Sequence, residues 1–265
     1  MRLCSIASGS SGNCIYVGSE ATHLLIDVGI SGKRVEAGLN ELELTGRDID
    51  AILITHEHAD HIAGLGVLAR KFGIPIYATA GTIRAMKNCS GTKGVDESLY
   101  HEVGEDRKFT VKDLVVNPMR ISHDAAQPVG YRVAYGSKKV AVCTDLGVYN
   151  DYTVECLKGM DALLLEANHD VNMLQVGPYP YYLKQRILGD RGHLSNENSG
   201  KLLCRILHDN LKTVLLGHLS KENNLPELAY ESVRMEVNMS EVPYHSGDFE
   251  LRVAKRSEVT APVIL

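Results

Sequence analysis

The chain has 265 residues, 44% of them apolar and 23% charged, with no Trp, three Phe and twelve Tyr. That apolar fraction supports a core in one large domain or two small ones, and no apolar run reaches the length that spans a bilayer. The net charge of −5 offers no global attraction to nucleic acid or anionic lipid, so a polyanion has to be held by a local basic surface.

The first residues, 2–7, read as a strand and not as a signal peptide, and a second short strand follows at 14–18. Between them Ser8-Gly9-Ser10-Ser11-Gly12-Asn13 is a loop of small residues suited to tight turns. It either serves the hairpin alone or turns its hydroxyls, amide groups and Asn13 toward a site as anion donors. Leu24-Leu25-Ile26 is an apolar strand closed by Asp27 and Gly29, where Asp27 can accept hydrogen bonds from backbone or from a ligand histidine. Val35, Leu39 and Leu42 give a helical spacing over 31–44.

The wholly apolar Ala51-Ile52-Leu53-Ile54 reads as a buried strand that ends in Thr55-His56-Glu57-His58-Ala59-Asp60-His61. His56 and His58, two apart at the strand end, can turn toward one metal ion. Asp60 and His61, where the next helix starts, can reach a second. Nitrogen and oxygen ligands of this kind suit Zn²⁺ first and Mn²⁺ or Fe²⁺ next. The bland alternative is a solvated loop that happens to hold histidines. A helix over 62–72 is stopped by Gly73-Ile74-Pro75, and a strand follows at 76–78. From about 100 the pattern changes to alternating segments, with antiparallel strands over 109–116, 129–135 and 139–143, the last two joined at Gly136-Ser137. Later, helix and strand alternate: strand 161–166, helix 195–208, strand 212–217, helix 225–238. No linker marks a boundary, so residues 1–265 read as a single domain of α/β class, two sheets face to face with helices outside.

His123, Asp145 and His218 each follow an apolar strand. Two ions need more than the four ligands of 56–61, and catalytic metals keep one position open for water. His56, His58 and His123 would complete one site, and Asp60, His61 and His218 the other, with Asp145 bridging. A hydroxide held between ions roughly 3.5–4 Å apart is a nucleophile at neutral pH. Ser195 and Ser220 begin a helix or turn, so they read as N-caps whose neighbouring N–H groups could also hold a phosphate. His169 is placed behind the ligands. Over 179–212 six basic residues meet three acidic ones, and Tyr179, Tyr181 and Tyr182 precede Lys184 and Arg186. That stretch is either a solvated helix face or a track that stacks bases and pairs phosphates, with Lys184 and Arg186 as substrate contacts. Six scattered Cys without a C-x-x-C pair read as reduced thiols, which fits a cytoplasmic location.

Taken together, H-x-H-x-D-H at 56–61, the lone His123, Asp145 in Thr144-Asp145-Leu146-Gly147 and the strand-end His218 resemble the metallo-β-lactamase superfamily of hydrolases over essentially the whole chain. The resemblance implies a four-layer αββα sandwich with two divalent ions at one edge. The flavodiiron oxidoreductases of that superfamily carry Glu where this chain has His58, so the implied chemistry is hydrolysis. The loop 8–13, Glu166-Ala167-Asn168-His169-Asp170, Gly192-His193-Leu194-Ser195-Asn196-Glu197 and Gly217-His218-Leu219-Ser220 are similar to the YycJ-like (WalJ) bacterial branch, which implies DNA exonuclease activity. The layout also resembles the tRNA 3′-end endonuclease, in which a His just before a helix donates a proton, and His193 occupies that place. The tRNA-clamping arm of those enzymes and the β-CASP insertion have no counterpart here, so DNA is favoured over RNA. The expectation is a dinuclear phosphodiesterase on nucleic acid, with Asp60 and His193 in the catalytic group. Two alternatives stay open: a small-molecule ester, thioester or lactone hydrolase on the same metals, and a non-catalytic binding or regulatory member of the fold. Intact ligands at all seven positions count against the second. No feature of the sequence sets the oligomeric state.

Overall fold

In the computed structural model, which describes residues 1–265, the apolar runs of the sequence become strands and their polar ends become turns. In chain order the elements are β1 (Arg2–Ala7), β2 (Cys14–Gly18), β3 (His23–Ile26), α1 (Gly32–Glu41), β4 (Ala51–Leu53), α2 (Ala59–Ile62), α3 (Leu65–Phe72), β5 (Ile76–Thr79), α4 (Ala80–Met86) and β6 (Tyr100–Val103). There follow β7 (Phe109–Val111), β8 (Leu114–Arg120), β9 (Val129–Tyr135), β10 (Lys138–Cys143), α5 (Asp151–Leu157), β11 (Ala162–Glu166), α6 (Val171–Val176) and α7 (Tyr181–Leu188). The chain ends with α8 (Asn196–Ile206), β12 (Thr213–Gly217), α9 (Pro226–Met239), β13 (Glu250–Val253) and β14 (Val263–Ile264). Two mixed seven-stranded sheets result, ordered β14-β1-β2-β3-β4-β5-β6 and β13-β12-β11-β10-β9-β8-β7. This is the α/β class read from the sequence. No helix is long and apolar enough to cross a membrane.

Backbone contacts divide the chain into two compact units. The first comprises Met1–Arg120, Ala125–Lys138 and Lys255–Leu265, and the second Ile121–Asp124 and Lys139–Ala254. In the first unit β3, β4, β5 and β6 run parallel. The apolar run of β4 is buried along its whole length, as its composition demands, and Ile52 and Ile54 join a core with Val35, Leu39, Leu65 and Leu68. Ile26 pairs with Leu53, so the carboxyl ends of β3 and β4 release Asp27 and Thr55-His56 beside one another. In the second unit β10, β11, β12 and β13 are parallel. Asp145, Glu166 and His218 stand at the carboxyl ends of its first three strands, the end where open α/β sheets place their chemistry.

Two expected elements differ. The helix over 62–72 is broken between α2 and α3, because Gly64 donates to the Val28 carbonyl (2.9 Å) and a Cβ there would lie 1.9 Å from the Ile30 carbonyl oxygen. The expected strand 109–116 is the hairpin β7–β8. Its turn contains no glycine; Lys112 takes a positive φ of 49°, and the Asp113 carboxylate accepts hydrogen bonds from the hydroxyls of Ser19 and Thr22.

Candidate metal centre

In the first unit, the cluster is built on the loop that leaves β4. Asp27, in the left-handed region at φ 61°, accepts from Thr55 N (2.9 Å), Thr55 Oγ1 (2.8 Å) and His61 Nδ1 (2.7 Å). The Thr55 hydroxyl, having given its proton to Asp27, accepts from His56 Nδ1 at 3.0 Å. His56 Nε2 then lies 3.1 Å from His58 Nδ1, and His61 Nε2 lies 3.5 Å from Asp60 Oδ2. His56, His58, Asp60 and His61 are thus brought close together, with the Asp27 carboxylate behind them. Glu57 turns away to accept from Ala126 N (2.8 Å).

Asn13 belongs to the same loop system. Its Oδ1 accepts from Gly9 N (3.0 Å), while its Nδ2 reaches the Asp60 carbonyl (3.3 Å) and lies 3.2 Å from His61 Nε2. The amide is thus engaged in holding the ligand loop. Gly29 completes the stitching: its N–H donates to Asn13 O (2.7 Å), and a Cβ on it would stand 1.7 Å from the Asp60 carbonyl oxygen. Gly29→Ala is expected to displace Asp60, costing about 1–3 kcal/mol as overpacking does, and to lower the bound metal. Urea denaturation with and without chelator, alongside elemental analysis, checks this. An alanine variant with unchanged stability and metal content would show that the loop yields freely.

In the second unit, Asp145 (φ 58°) and His218 (φ 55°) also occupy the left-handed region, which costs a non-glycine residue on the order of 1 kcal/mol or more. Asp145 Oδ1 lies 3.5 Å from His218 Nδ1, 3.6 Å from His123 Nε2 and 3.7 Å from His193 Nδ1. His123 Nδ1 is 3.1 Å from the Gly192 carbonyl, and burial pushes its imidazole below the ordinary histidine range. The strained His218 backbone is held by Asn168, whose Nδ2 donates to the His218 carbonyl (2.9 Å).

Glu166, the last residue of β11, organises this cluster, and sequence reasoning gave it no role. Its Oε1 accepts from His193 Nδ1 (2.9 Å) and His218 Nδ1 (2.8 Å), and its Oε2 from Leu146 N (2.8 Å) and Leu194 N (3.1 Å). Burial alone would raise this carboxyl; the His193 charge and the hydrogen bonds from both histidines outweigh it and hold the group below the usual carboxylate range. The rule that picked out Asp145 and His218, a polar residue closing an apolar strand, applies equally to Glu166. The donor atoms of Asp145, Glu166, His193 and His218 all lie within 4.8 Å of one another.

In each unit the donors fit a divalent metal ion. Nδ1 of His61 faces a carboxylate, that of His218 faces Glu166 and that of His123 faces a carbonyl, while His56 Nδ1 faces a hydroxyl that has already donated. Such acceptors require the proton on Nδ1 and leave the Nε2 lone pair for an ion.

The remaining expected residues are placed as follows. Ser195 caps α8, its Oγ accepting from Asn198 N (3.2 Å), and Ser220 Oγ accepts from Asn223 N (3.2 Å), so the capping half of each expectation is realised. Lys184 donates to the carbonyls of Gln175 and Gly177, and Arg186 pairs with Asp124. The His169 ring is buried with no hydrogen-bond partner at either nitrogen, and burial pushes it down to about 4, so it stays neutral. Its backbone does the bonding, the carbonyl accepting from Asn196 N (2.9 Å).

The model of the beta-lactamase superfamily domain matches residues 22–218. The chain is 43% identical over 228 residues to exodeoxyribonuclease YycJ of Bacillus anthracis, covering 86% of each chain. It is 45% identical over 227 residues to exodeoxyribonuclease WalJ of Streptococcus pneumoniae, covering 85% of this chain and 84% of that one. The chain belongs to the metallo-β-lactamase superfamily. Its place is in the YycJ-like branch, and it is a metal-dependent hydrolase. The fold agrees: the metallo-β-lactamase-fold protein YhfI of Bacillus subtilis superposes with a TM-score of 0.70 at 20% identity, covering 98% of both chains.

Proposed function

We propose that this metallo-β-lactamase-fold hydrolase is a DNA exonuclease that works with two divalent ions, Zn²⁺ first and Mn²⁺ or Fe²⁺ next. His56, His58 and His123 would hold one ion, Asp60, His61 and His218 the other, and Asp145 would bridge. Ions bound by such ligands supply a water acidic enough to attack near neutral pH and offset the charge of a phosphodiester.

The observation that carries the reading is the pairing of His193 with Glu166. A buried carboxylate on Nδ1 fixes the tautomer and the ring, so that a proton on Nε2 can be given to the departing 3′ or 5′ oxygen. A diester with an alkoxide leaving group needs that proton, and His193 is the accessible member of its cluster: its side chain is 16% exposed against 1% for His218 and 2% for Asp145. Asp60, half-buried beside His61, joins the group as ligand and catalytic carboxylate. Ser195 and Ser220, whose caps open a helix and a turn, would be contacts to the phosphate. DNA as substrate is supported by the names of the two relatives and by the extent of the likeness.

End-labelled single- and double-stranded DNA and RNA, incubated with the protein in Zn²⁺, Mn²⁺ and Mg²⁺, test the reading. Nucleotides should be released from DNA by protein carrying about two metals per chain, as a dinuclear site requires. Folded, metal-loaded protein that releases none, or that cleaves only small esters, would overturn it.

A further inference from the structure

We infer that the surface made by α4 and the turn after it carries the phosphate backbone of the DNA beside the candidate ligand loop, with Arg84 and Lys93 as its phosphate contacts. The inference rests on the nuclease reading and adds to it where the polyanion is gripped.

After Asp60 the chain holds no Asp or Glu until Asp96, and that interval contains Arg70, Lys71, Arg84, Lys87 and Lys93. A protein of net charge −5 thus keeps one uninterrupted basic span, and it begins at the H-x-H-x-D-H motif. Cations of the other basic stretch are engaged: Lys184 with the carbonyls of Gln175 and Gly177, Arg186 with Asp124 and Arg205 with Asp151. Folding also sorts the five cations of the first span. Lys71 pairs with Glu36 (2.7 Å) and Lys87 with Glu97, while Arg70 Nη1 donates to the Lys93 carbonyl. Arg84 and Lys93 are left exposed, their side chains without a partner.

The turn that carries Lys93 is fixed against the candidate ligand loop. A Cβ on Gly91 would lie 2.6 Å from the Ile62 carbonyl oxygen, and one on Gly66 2.5 Å from that of Gly91, so the turn rests directly on α2 and α3. Thr92 Oγ1 donates to the carbonyls of Met86 and Cys89, and Cys89 Sγ stands 4.0 Å from the Glu57 carbonyl oxygen. Two hollows follow this seam. One, of about 360 Å³, is bordered by Glu57, Ala59, Ile62 and Cys89-Ser90-Gly91, and the other, of about 400 Å³, by Lys87, Cys89, Ser90, Lys93 and Tyr100. Because they share Cys89 and Ser90, one groove leads from the residues that alternate with His58 and Asp60 to the two ammonium groups. Arg84, one helical turn before Lys87 on α4, extends the line. The carboxylates along it are already committed, Glu57 to Ala126 N (2.8 Å) and Glu97 to Lys87. A DNA strand carries one charge about every 3.4 Å whatever its sequence, so a row of cations beside the hydrolytic centre suits its backbone.

The test is steady-state digestion of a short labelled DNA duplex by metal-loaded protein, as salt rises from about 50 to about 200 mM. Wild type is run beside Arg84→Ala/Lys93→Ala and the charge-keeping Arg84→Lys/Lys93→Arg, with elemental analysis of each. A phosphate contact contributes about 0.9 to the slope of log(kcat/KM) against log[salt], so the alanine variant should be shallower by about 1.8. Its deficit against wild type, greatest at low salt, should therefore shrink about tenfold over this range, with its metal retained. The charge-keeping variant should follow wild type. An alanine variant with wild-type kcat/KM, or one whose line runs parallel below that of wild type, overturns the track and leaves the nuclease intact. Loss of metal from the alanine variant, or an equal deficit in the charge-keeping one, overturns it too, because the residues would then act through the local structure. Wild type that digests no DNA overturns the nuclease reading, and the track with it.

Discussion

Replacing Asp145 by Ala or Asn should reduce hydrolysis by more than about 10³-fold and release metal, with the fold retained. The expectation follows from position. Asp145 Oδ1 is the one carboxylate oxygen within 3.5–3.7 Å of His218, His123 and His193. Without it, His123 and His218 would lose the carboxylate that lies between them, and Glu166 already accepts four hydrogen bonds. A single preorganised polar group at a reacting centre is worth about 10²–10³ in rate, and the proposed bridging carboxylate should exceed that. The two substitutions separate charge from backbone. Asn tolerates the left-handed conformation at φ 58° and Ala does not, so Ala alone should lose about 1 kcal/mol of stability beyond the metal effect. Elemental analysis, circular dichroism and turnover measured together check this; near-normal rates in Asp145→Asn would place the bridge elsewhere.

Next in size, His193→Ala is expected to keep its metal and lose roughly 10²–10⁴-fold in rate on DNA, the usual worth of general acid catalysis. The loss should shrink on a nitrophenyl phosphodiester, whose leaving group departs without a proton. His193 lies close enough to Asp145, Glu166 and His218 to be a ligand itself, so metal content is the deciding measurement. If His193→Ala loses an ion, the residue is a ligand. If it keeps both but is equally impaired on either substrate, it positions phosphate and gives no proton.

Much of the fold was legible because the sheets obey a simple rule. A strand buried on both sides must be apolar throughout, as Ala51–Ile54 and Leu163–Leu165 are, and a polar residue that ends it stands out. Asp27, His56, Asp145 and His218 are visible for that reason. Glu166 satisfies the same rule, although its role shows only once His193 and His218 fold against it. The break at Gly64 was illegible, since it depends on the approach of Val28 and Ile30 from far along the chain. So was the fate of the basic stretch: charge can be counted from sequence, but Arg186 meets its partner Asp124 only after folding, 62 residues away.

Six non-glycine residues have positive φ: Asp27, Glu43, Asp106, Lys112, Asp145 and His218. Glu43, Asp106 and Lys112 are exposed turn residues, while Asp27, Asp145 and His218 are buried and all three belong to the ligand clusters. Torsion angle and burial together thus mark the chemistry on a bare backbone trace, with every side-chain name erased.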